Sequence, residues 1–249
     1  MATQSNPYDN QIALRIGGME HRAWQSYDID SDFLIPADGF DFELGVSQAQ
    51  GGIPDYTQQS CQVLVNGETV LTGIIGNQRH DKAKGSRSLR LTGRDLACLL
   101  VDCAAPQLNV KGMTLLDAAK KIAAPWSAYI KRVVLRAENN PTLAKIDIEP
   151  GESAWQALTH LANSVGLHPW MEADGTLAVG GADYGGEPVA TLCWSRNDAR
   201  RNVESVLIER DSDNRFSEVT FLAQSHGKSG NGAKHDLKWV WRDGSMALH

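Results

Sequence analysis

Three alternating aspartates are the first residues in the chain that could bind a ligand: Asp28, Asp30 and Asp32. This spacing is how a calcium-binding loop begins, because alternate carboxylates supply oxygen ligands to the ion. Such a loop also needs glycine at its sixth position and glutamate at its twelfth, but Phe33 and Gly39 stand there. The alternation instead predicts a strand with outward aspartates and with Ile29 and Phe33 pointing inward. We expect no metal at this segment.

Four cysteines are the next candidates for chemistry: Cys61, Cys98, Cys103 and Cys193. Cys98 and Cys103 are five residues apart, but no nearby histidine or second cysteine pair completes a tetrahedral zinc site. Four dispersed cysteines are also too few for a disulfide framework in a chain of 249 residues. We therefore predict reduced, buried cysteines that pack as small apolar side chains.

Catalytic residue types are present, but no pattern groups them. The seven histidines, among them His80, His160 and His168, show neither a paired metal-ligand spacing nor a nucleophile elbow. Serines and acids are plentiful, so the sequence leaves a serine triad or a carboxylate pair open. We predict no catalytic, metal-binding or cofactor-binding residues, and hence a protein without a cofactor that is not an enzyme.

A cluster of basic side chains lies near the middle of the first half of the chain: Arg79, His80, Lys82, Lys84 and Arg87. Such a cluster could meet an acidic partner surface. Asp81 interrupts it, however, and a solvated hairpin loop is the commoner origin of a short charged run. We therefore predict a charged loop from His80 to Ser86.

Five tryptophans are candidates for core or interface positions: Trp155, Trp170, Trp194, Trp239 and Trp241. Tryptophan is favoured both in cores and at the buried centres of interfaces. Trp239 and Trp241 share one face of a predicted strand, so they point the same way. Outward they would mark an oligomer surface, and inward they would fill a core. We expect burial.

The elements that position these residues begin with short β-patterned segments from Ile12 to Thr92. Asn66-Gly67 stands between two apolar runs and predicts a two-residue hairpin turn, because both residues readily adopt positive φ. Leu89 and Leu91 alternate with polar residues and predict a third strand facing one core. The fold here is a small β-barrel or sandwich.

Residues 93–101 predict the end of that β region. Asp95 stands before the apolar run Leu96 to Val101 and predicts a capped helix that plugs the barrel end, because its carboxylate can accept free amide hydrogens. Arg94 beside it carries a guanidinium that can tie neighbouring strands or carboxylates. We assign both residues structural or interface roles.

A mixed pattern follows from Thr114 onward. Thr114 predicts the start of a helix over Leu115 to Ala123, ended by Pro125.

A second helix begins at Ser153, which forms a capping-box pair with Gln156, and it ends at Gly166. Its apolar positions predict a stripe that packs on a sheet: Ala154, Leu158, Leu161 and Val165. Asp174-Gly175 predicts a hairpin between His168 to Glu172 and Thr176 to Val179.

The β texture returns after the glycines near residue 185. It predicts strands at Val189 to Trp194, Val203 to Arg210, Glu218 to Ala223 and Leu237 to Trp241. The fold class is therefore α+β and mostly β, with two β-barrel-like domains around an α/β domain. We predict boundaries at residues 1–104, 105–182 and 183–249. Four strands are few for a closed barrel, so the last domain is expected to be incomplete.

Charge and hydropathy argue against two classes of partner. The net charge of −6 and the pI near 5.6 lack the basic field of a nucleic-acid or anionic-membrane binder. No apolar run approaches the roughly 18 residues of a membrane helix, and Met1 to Asn10 lacks the pattern of a secretory signal. We expect synthesis in the cytoplasm, no membrane insertion and no sequence-specific nucleic-acid binding.

Two blocks of residues resemble one protein family. The first is the turn Gly67-Glu68, Gly73 on the returning strand, and Gly93-Arg94-Asp95 before a helix. The second is Gly151-Glu152-Ser153 with its helix, Gly166-Leu167 and the Asp174-Gly175 hairpin. Together they frame residues 65–179 and are similar to the hub proteins of contractile-tail baseplates in Mu-like phages, which are related to the spike base of type VI secretion systems.

The resemblance implies a structural virion protein of a phage or prophage tail baseplate. It implies a homotrimer whose paired barrels form a ring between the tail tube above and the central spike below. Two other classes stay open on the residues alone: a tail-associated cell-wall hydrolase, and a monomeric glycan- or protein-binding β module. A pocket with paired perturbed acids would support the first, and an exposed aromatic cleft would support the second.

Overall fold

A computed structural model describes residues 10–45, 53–84, 86–143, 146–181, 186–188, 190–195, 202–203, 205–209, 216–223 and 237–245. The chain divides into two compact units, Met1–Tyr184 and Gly185–His249. None of the described helices is long and apolar enough to cross a membrane.

The first unit begins with an antiparallel sheet of seven strands. They are β1 (Ile12–Ile16), β2 (Met19–His21), β3 (Ser26–Asp32), β4 (Ile35–Gly45), β5 (Ser60–Val65), β6 (Glu68–Ala83) and β7 (Ser86–Asp95). Their order across the sheet is β2-β1-β5-β6-β7-β4-β3. The mostly β fold class is confirmed.

This sheet is curled, because its two edge strands are neighbours in the chain. Only residues 22–25 join β2 to β3, and such a linker spans at most roughly 18 Å. A flat sheet of seven strands would place its edges roughly 29 Å apart. The apolar side chains enclosed by the curl form one core: Ile12, Leu14, Ile16, Phe40, Phe42, Cys61, Val63, Leu71, Ile75, Leu89 and Leu91. No ladder joins β2 to β3 among the described residues, so closure of the barrel is not confirmed.

The central hairpin of the sheet has the predicted turn. Asn66 and Gly67 have φ of 54° and 87°, so the positive φ angles expected of both residues are confirmed. Leu89 and Leu91 are buried as predicted. The predicted charged loop from His80 to Ser86 is wrong, because β6 runs to Ala83 and β7 begins at Ser86. Both faces of this outer ribbon are solvated, so its sequence lacks the alternation that marks a half-buried strand.

The second layer of this unit contains three helices and several short strands. The helices are α1 (Cys98–Asp102), α2 (Leu115–Ala123) and α3 (Ala154–Asn163). The strands are β8 (Asn109–Val110), β9 (Met113–Thr114), β10 (Val133–Arg136), β11 (Thr142–Leu143), β12 (Ile146–Asp147), β13 (His168–Met171) and β14 (Leu177–Gly180). Strands β10, β14 and β13 form a sheet in which β10 runs parallel to β14, and two small ladders join β11 to β9 and β12 to β8.

Both long helices begin where the sequence predicts. The Thr114 hydroxyl accepts the Asp117 N–H at 3.2 Å, and a 3-10 turn containing Pro125 follows α2. At α3, the Ser153 hydroxyl accepts the Gln156 N–H at 3.2 Å while the Gln156 side chain accepts the Ser153 N–H at 3.1 Å. The predicted capping box is confirmed, and so is the positive φ of Gly166 at 75°.

The helices bury one apolar face each against the second core. In α2 the buried residues are Leu115, Ala118, Ala119, Ile122 and Ala123. In α3, Ala154 and Leu158 are buried, whereas Leu161, and Val165 just after the helix, are half-buried against the cluster. Leu100 of α1 belongs to this same core and not to the core of the curled sheet, so the prediction that α1 plugs the barrel is wrong.

The hairpin at Asp174-Gly175 connects the two layers. The Thr72 hydroxyl on β6 donates to the Ala173 carbonyl at 2.7 Å. Gly175 has φ of 83°, and an added Cβ there would lie 2.9 Å from Leu96 and 3.3 Å from Thr72. The hairpin is confirmed, and its glycine is needed both for the turn and for the close contact with the first layer.

The second unit contains one described ladder. Strands β15 (Glu218–Ala223) and β16 (Leu237–Arg242) pair antiparallel. The strands predicted at Val189 to Trp194 and Val203 to Arg210 are wrong over their described residues, which have no regular structure. Leu207 and Ile208 there are exposed, so the apolar run that suggested a strand is not matched by a core. A second barrel is not confirmed in the described part of this unit.

Candidate interaction surfaces

Arg94 ties the end of β7 to the first helix. Its Nη1 lies 3.2 Å from Oδ1 of Asp102, and a second hydrogen bond joins its Nη2 to the other carboxylate oxygen. This fork links strand and helix as the guanidinium geometry allows, and it raises the pKa of Arg94. The pair is half-exposed, so we expect it to contribute little to stability by itself.

Asp95 is buried beside this pair. Its side chain is 6% exposed, and its Oδ1 accepts the Ala97 N–H at 2.8 Å. The predicted helix start at Leu96 is wrong, because α1 begins at Cys98 and Ala97 at its N-terminus makes no side-chain cap. Asp95 instead stabilises the turn that precedes the helix. Burial raises the pKa of this carboxyl to about 7.

A cavity of about 150 Å³ adjoins Asp95, and Asp32 and Asp38 are among its other lining residues. The Asp38 carboxylate accepts the Ser31 hydroxyl at 2.6 Å and the Asp32 N–H at 3.0 Å. The Asp32 carboxylate accepts the Leu34 N–H at 2.8 Å. Asp32 and Asp38 therefore hold the β3–β4 hairpin, and the arrangement does not favour a hydrolase.

The tip of the same hairpin contacts the second layer. Phe33 was expected to point into the curled sheet, but its ring lies 5.2 Å from Trp170 and 5.8 Å from His168. The expectation is wrong because Phe33 stands in the turn beyond the alternating strand. Of Ile29 and Phe33, only Ile29 packs against the core of the curled sheet.

Ser153 has a purely structural position. It caps α3 and also bridges to Ala104, while the Ala154 N–H donates to the Cys103 carbonyl at 3.0 Å. These contacts fix the start of α3 against the chain that follows α1. Nothing in this geometry gives Ser153 a nucleophilic role.

The cysteines and aspartates form no metal site in the described parts of the chain, where no group of three suitable side chains converges. All four cysteines are free. Cys61 and Cys98 are buried as predicted, and burial raises the pKa of Cys61 to about 12. Cys103 is exposed and Cys193 half-buried, so their predicted burial is wrong.

An aromatic face covers one side of the β15–β16 ribbon. Trp239 and Trp241 are 60% and 45% exposed, so their expected burial is wrong. Phe221 stands opposite Trp239 with the ring centroids 5.1 Å apart, and Val219 stands opposite Trp241. Sequence reasoning found the shared face of the two tryptophans, but it missed Phe221 because the register of the ladder was unknown. We call this surface the aromatic face.

A charged ribbon forms the outer ends of β6 and β7, where no other described strand pairs with residues 79–84, 86 or 87. Lys82 pairs with Arg87 and Ala83 with Ser86 across it, and Lys84 stands in the turn. Its base is held by Gln78, which accepts the Tyr56 N–H at 2.7 Å. We call the ribbon of residues 79–84 and 86–88 the basic arm.

Comparison with known proteins identifies the family. Residues 11–95 match the N-terminal domain of the Mu phage baseplate assembly protein GpP-like family. Residues 97–181 match the second domain of the baseplate hub protein gp44-like family, and residues 215–249 match the third domain of the tail protein NMB1110-like family. The crystal structure of the tail protein from Neisseria meningitidis MC58 is 66% identical, with a TM-score of 0.84 over 97% of this chain and 70% of that one. The chain belongs to the baseplate hub and tail protein family of Mu-like phages.

Two more distant relatives of this hub family agree. The baseplate hub protein gp44 of Escherichia phage Mu is 24% identical over 237 residues, which are 93% of this chain and 60% of the relative. The 43 kDa tail protein of prophage MuSo2 from Shewanella oneidensis is 22% identical and shares the fold with a TM-score of 0.79, over 97% of this chain and 71% of that one. The chain thus spans about 60 to 70% of the length of these hub and tail proteins. Membership implies a location in the tail of a phage particle.

Proposed function

We propose that this chain is the trimeric hub of a contractile phage or prophage baseplate, connecting the tail tube to the central spike. The family membership supports a structural role in the tail. In this proposal the protein is not an enzyme and needs no cofactor. It assembles in the host cytoplasm before it becomes part of the baseplate.

The aromatic face is the observation that best supports the proposed trimer. A two-stranded ribbon is marginally stable alone in water, because one face cannot bury enough apolar area. This ribbon nevertheless exposes Trp239, Trp241 and Phe221 together. Large aromatic side chains dominate the buried centres of protein interfaces. A second copy of the chain covers this face in the proposed hub, so that each ribbon completes a β layer with its neighbour.

The mechanism of the hub is geometric. The curled sheet and the α/β layer belong to one compact unit and are joined by contacts such as the hydrogen bond from Thr72 to Ala173. Obligate interfaces between three such units would form an annulus that transmits force from tube to spike. The net charge of −6 suits a lumen through which a genome passes without base readout.

The domain division also remains a proposal. We infer a first domain in residues 1–104, an α/β domain in residues 105–182 and a further β domain in residues 183–249. The three matched family segments, which begin at residues 11, 97 and 215, support this order.

The aromatic face can be tested with two substitutions on one ribbon. We expect Trp239→Ser to reduce the molar mass measured by light scattering below the trimer value of roughly 81 kDa, calculated for three chains of 27.1 kDa. Leu222→Ser is the matched control, because Leu222 is 79% exposed on the opposite face of the same ladder. The proposal predicts that this control keeps the trimer. Equal masses for both variants would contradict a role for the aromatic face.

A further inference from the structure

The basic arm carries three positive charges that form no ion pair with the described part of the chain. Lys82, Lys84 and Arg87 form no ion pair with any other described residue, whereas Arg79 pairs with Asp81. All three are exposed. They stand on a chain whose net charge is −6, so the arm is a local reversal of the overall sign.

One cross-strand pair within the basic arm is unfavourable for the stability of the ladder. Lys82 stands directly opposite Arg87, and like charges at directly opposed positions of a ladder are destabilising. Residues that lower the stability of the fold without a compensating contact nearby are expected at functional sites. An acidic surface would complement these cations.

Such a surface lies at the free edge of the curled sheet. Strand β3 is the last strand of the sheet order, so one side of its backbone is unpaired among the described strands. Asp28 and Asp30 stand on its outer face. Charged side chains on an edge strand discourage pairing with unrelated strands. We call the residues Asp28 and Asp30 the acidic edge.

The carboxylates of the acidic edge, like Lys82, Lys84 and Arg87 of the basic arm, form no ion pair among the described residues. Asp41 on the neighbouring strand is neutralised by a two-nitrogen contact from Arg90. Asp28 and Asp30 take part in no ion pair with the described residues, whereas Glu43 stands directly opposite Arg90 in the ladder. The basic arm thus presents three cations, and the acidic edge two carboxylates, that form no ion pair among the described residues.

We propose that the basic arm of one copy docks on the acidic edge of the next copy. The inference rests on the proposed hub, because it supplies the contact by which the copies form a ring. Arm and edge are different surfaces, so the contact is head-to-tail, and a repeated head-to-tail contact closes into a ring when its rotation allows. Complementary charges fix the register of the contact and reject unrelated edges.

A second copy fits the arm better than a nucleic acid does. Duplex binding draws on many phosphate contacts and a continuous basic field. The arm offers three free cations, and Asp81 stands among them. The rest of the chain is acidic and would repel a duplex.

Charge reversal with rescue tests the proposal in the whole chain. Lys82→Glu and Asp28→Lys are each expected to raise the dissociation constant of the assembly at least about tenfold, and the double variant is expected to recover most of the loss. Lys82→Glu also places a glutamate opposite Arg87, so the arm itself should not be destabilised. Lys131→Glu is the control, because Lys131 is exposed and lies outside both surfaces. The measurement is molar mass against concentration at two salt concentrations.

The possible results distinguish failure of the arm–edge contact from failure of the proposed hub. A trimer that loses mass in both single variants, recovers in the double variant and weakens in high salt supports the inference. A trimer whose mass no reversal changes overturns the inference and leaves the hub intact. A wild-type chain that stays monomeric contradicts the hub and the inference together. Binding of a labelled DNA duplex that Lys82→Glu abolishes, with the trimer unchanged, assigns the arm to nucleic acid and also overturns the inference.

Discussion

At the scale of single residues, Asp95 combines a buried carboxyl with a defined hydrogen bond. Its pKa is raised from 3.8 to about 7 because burial disfavours the charged form, although backbone hydrogen bonds from Ala97 and Asp38 oppose this. Between these values the folded state binds more protons than the unfolded state. The free energy of unfolding therefore falls as pH rises from about 4 to about 7, by at most about 4 kcal/mol.

Two substitutions separate the charge of Asp95 from its hydrogen bond. Asp95→Asn keeps an acceptor for the Ala97 N–H and removes the ionisation, so its unfolding free energy should lose this dependence on pH and exceed that of the wild type at pH 8. Asp95→Ala leaves the amide unpaired and should cost about 1–3 kcal/mol at pH 5. Urea unfolding at several pH values measures both. Parallel pH curves for the wild type and Asp95→Asn would rule out the buried charge.

At the scale of elements, two strands of the curled sheet approach each other too closely for a side chain. A Cβ on Gly93 would collide with the ring of Phe40 and with the Ile74 carbonyl. We expect Gly93→Ala to lower the free energy of unfolding by about 1–3 kcal/mol. Gly39→Ala is the matched control, since Gly39 lies in the adjacent strand with open space around its Cα. Chemical denaturation of both variants checks this, and equal stabilities would contradict the close contact.

Elements were predictable from sequence where one local interaction decides them. The positive φ angles at Asn66 and Gly67 and the capping box of Ser153 depend on a few adjacent residues, and these were confirmed. The length of the basic arm was not predictable, because a solvated two-stranded ribbon carries no apolar alternation. The start of α1 was misplaced for a related reason, since Asp95 can hydrogen-bond the turn or the helix and only the packing of Leu100 decides between them.

At the scale of the whole molecule, the sequence predicted the order of a β region followed by an α/β region, but not the exposure of the second unit. A strand pattern shows which side chains share a face and not what covers that face. Trp239 and Trp241 were expected in a core, yet they are exposed in the described ladder. The same limit applied to the candidate surfaces: the basic cluster was visible in the sequence, whereas the position of Asp28 and Asp30 on an edge strand required the strand order.

The most direct test of the hub is the molar mass of the unmodified chain, measured by light scattering across a concentration series. We predict a trimer of roughly 81 kDa, three times the 27.1 kDa of one chain, that persists on dilution. A monomer at every concentration would contradict the claim that this chain closes a ring.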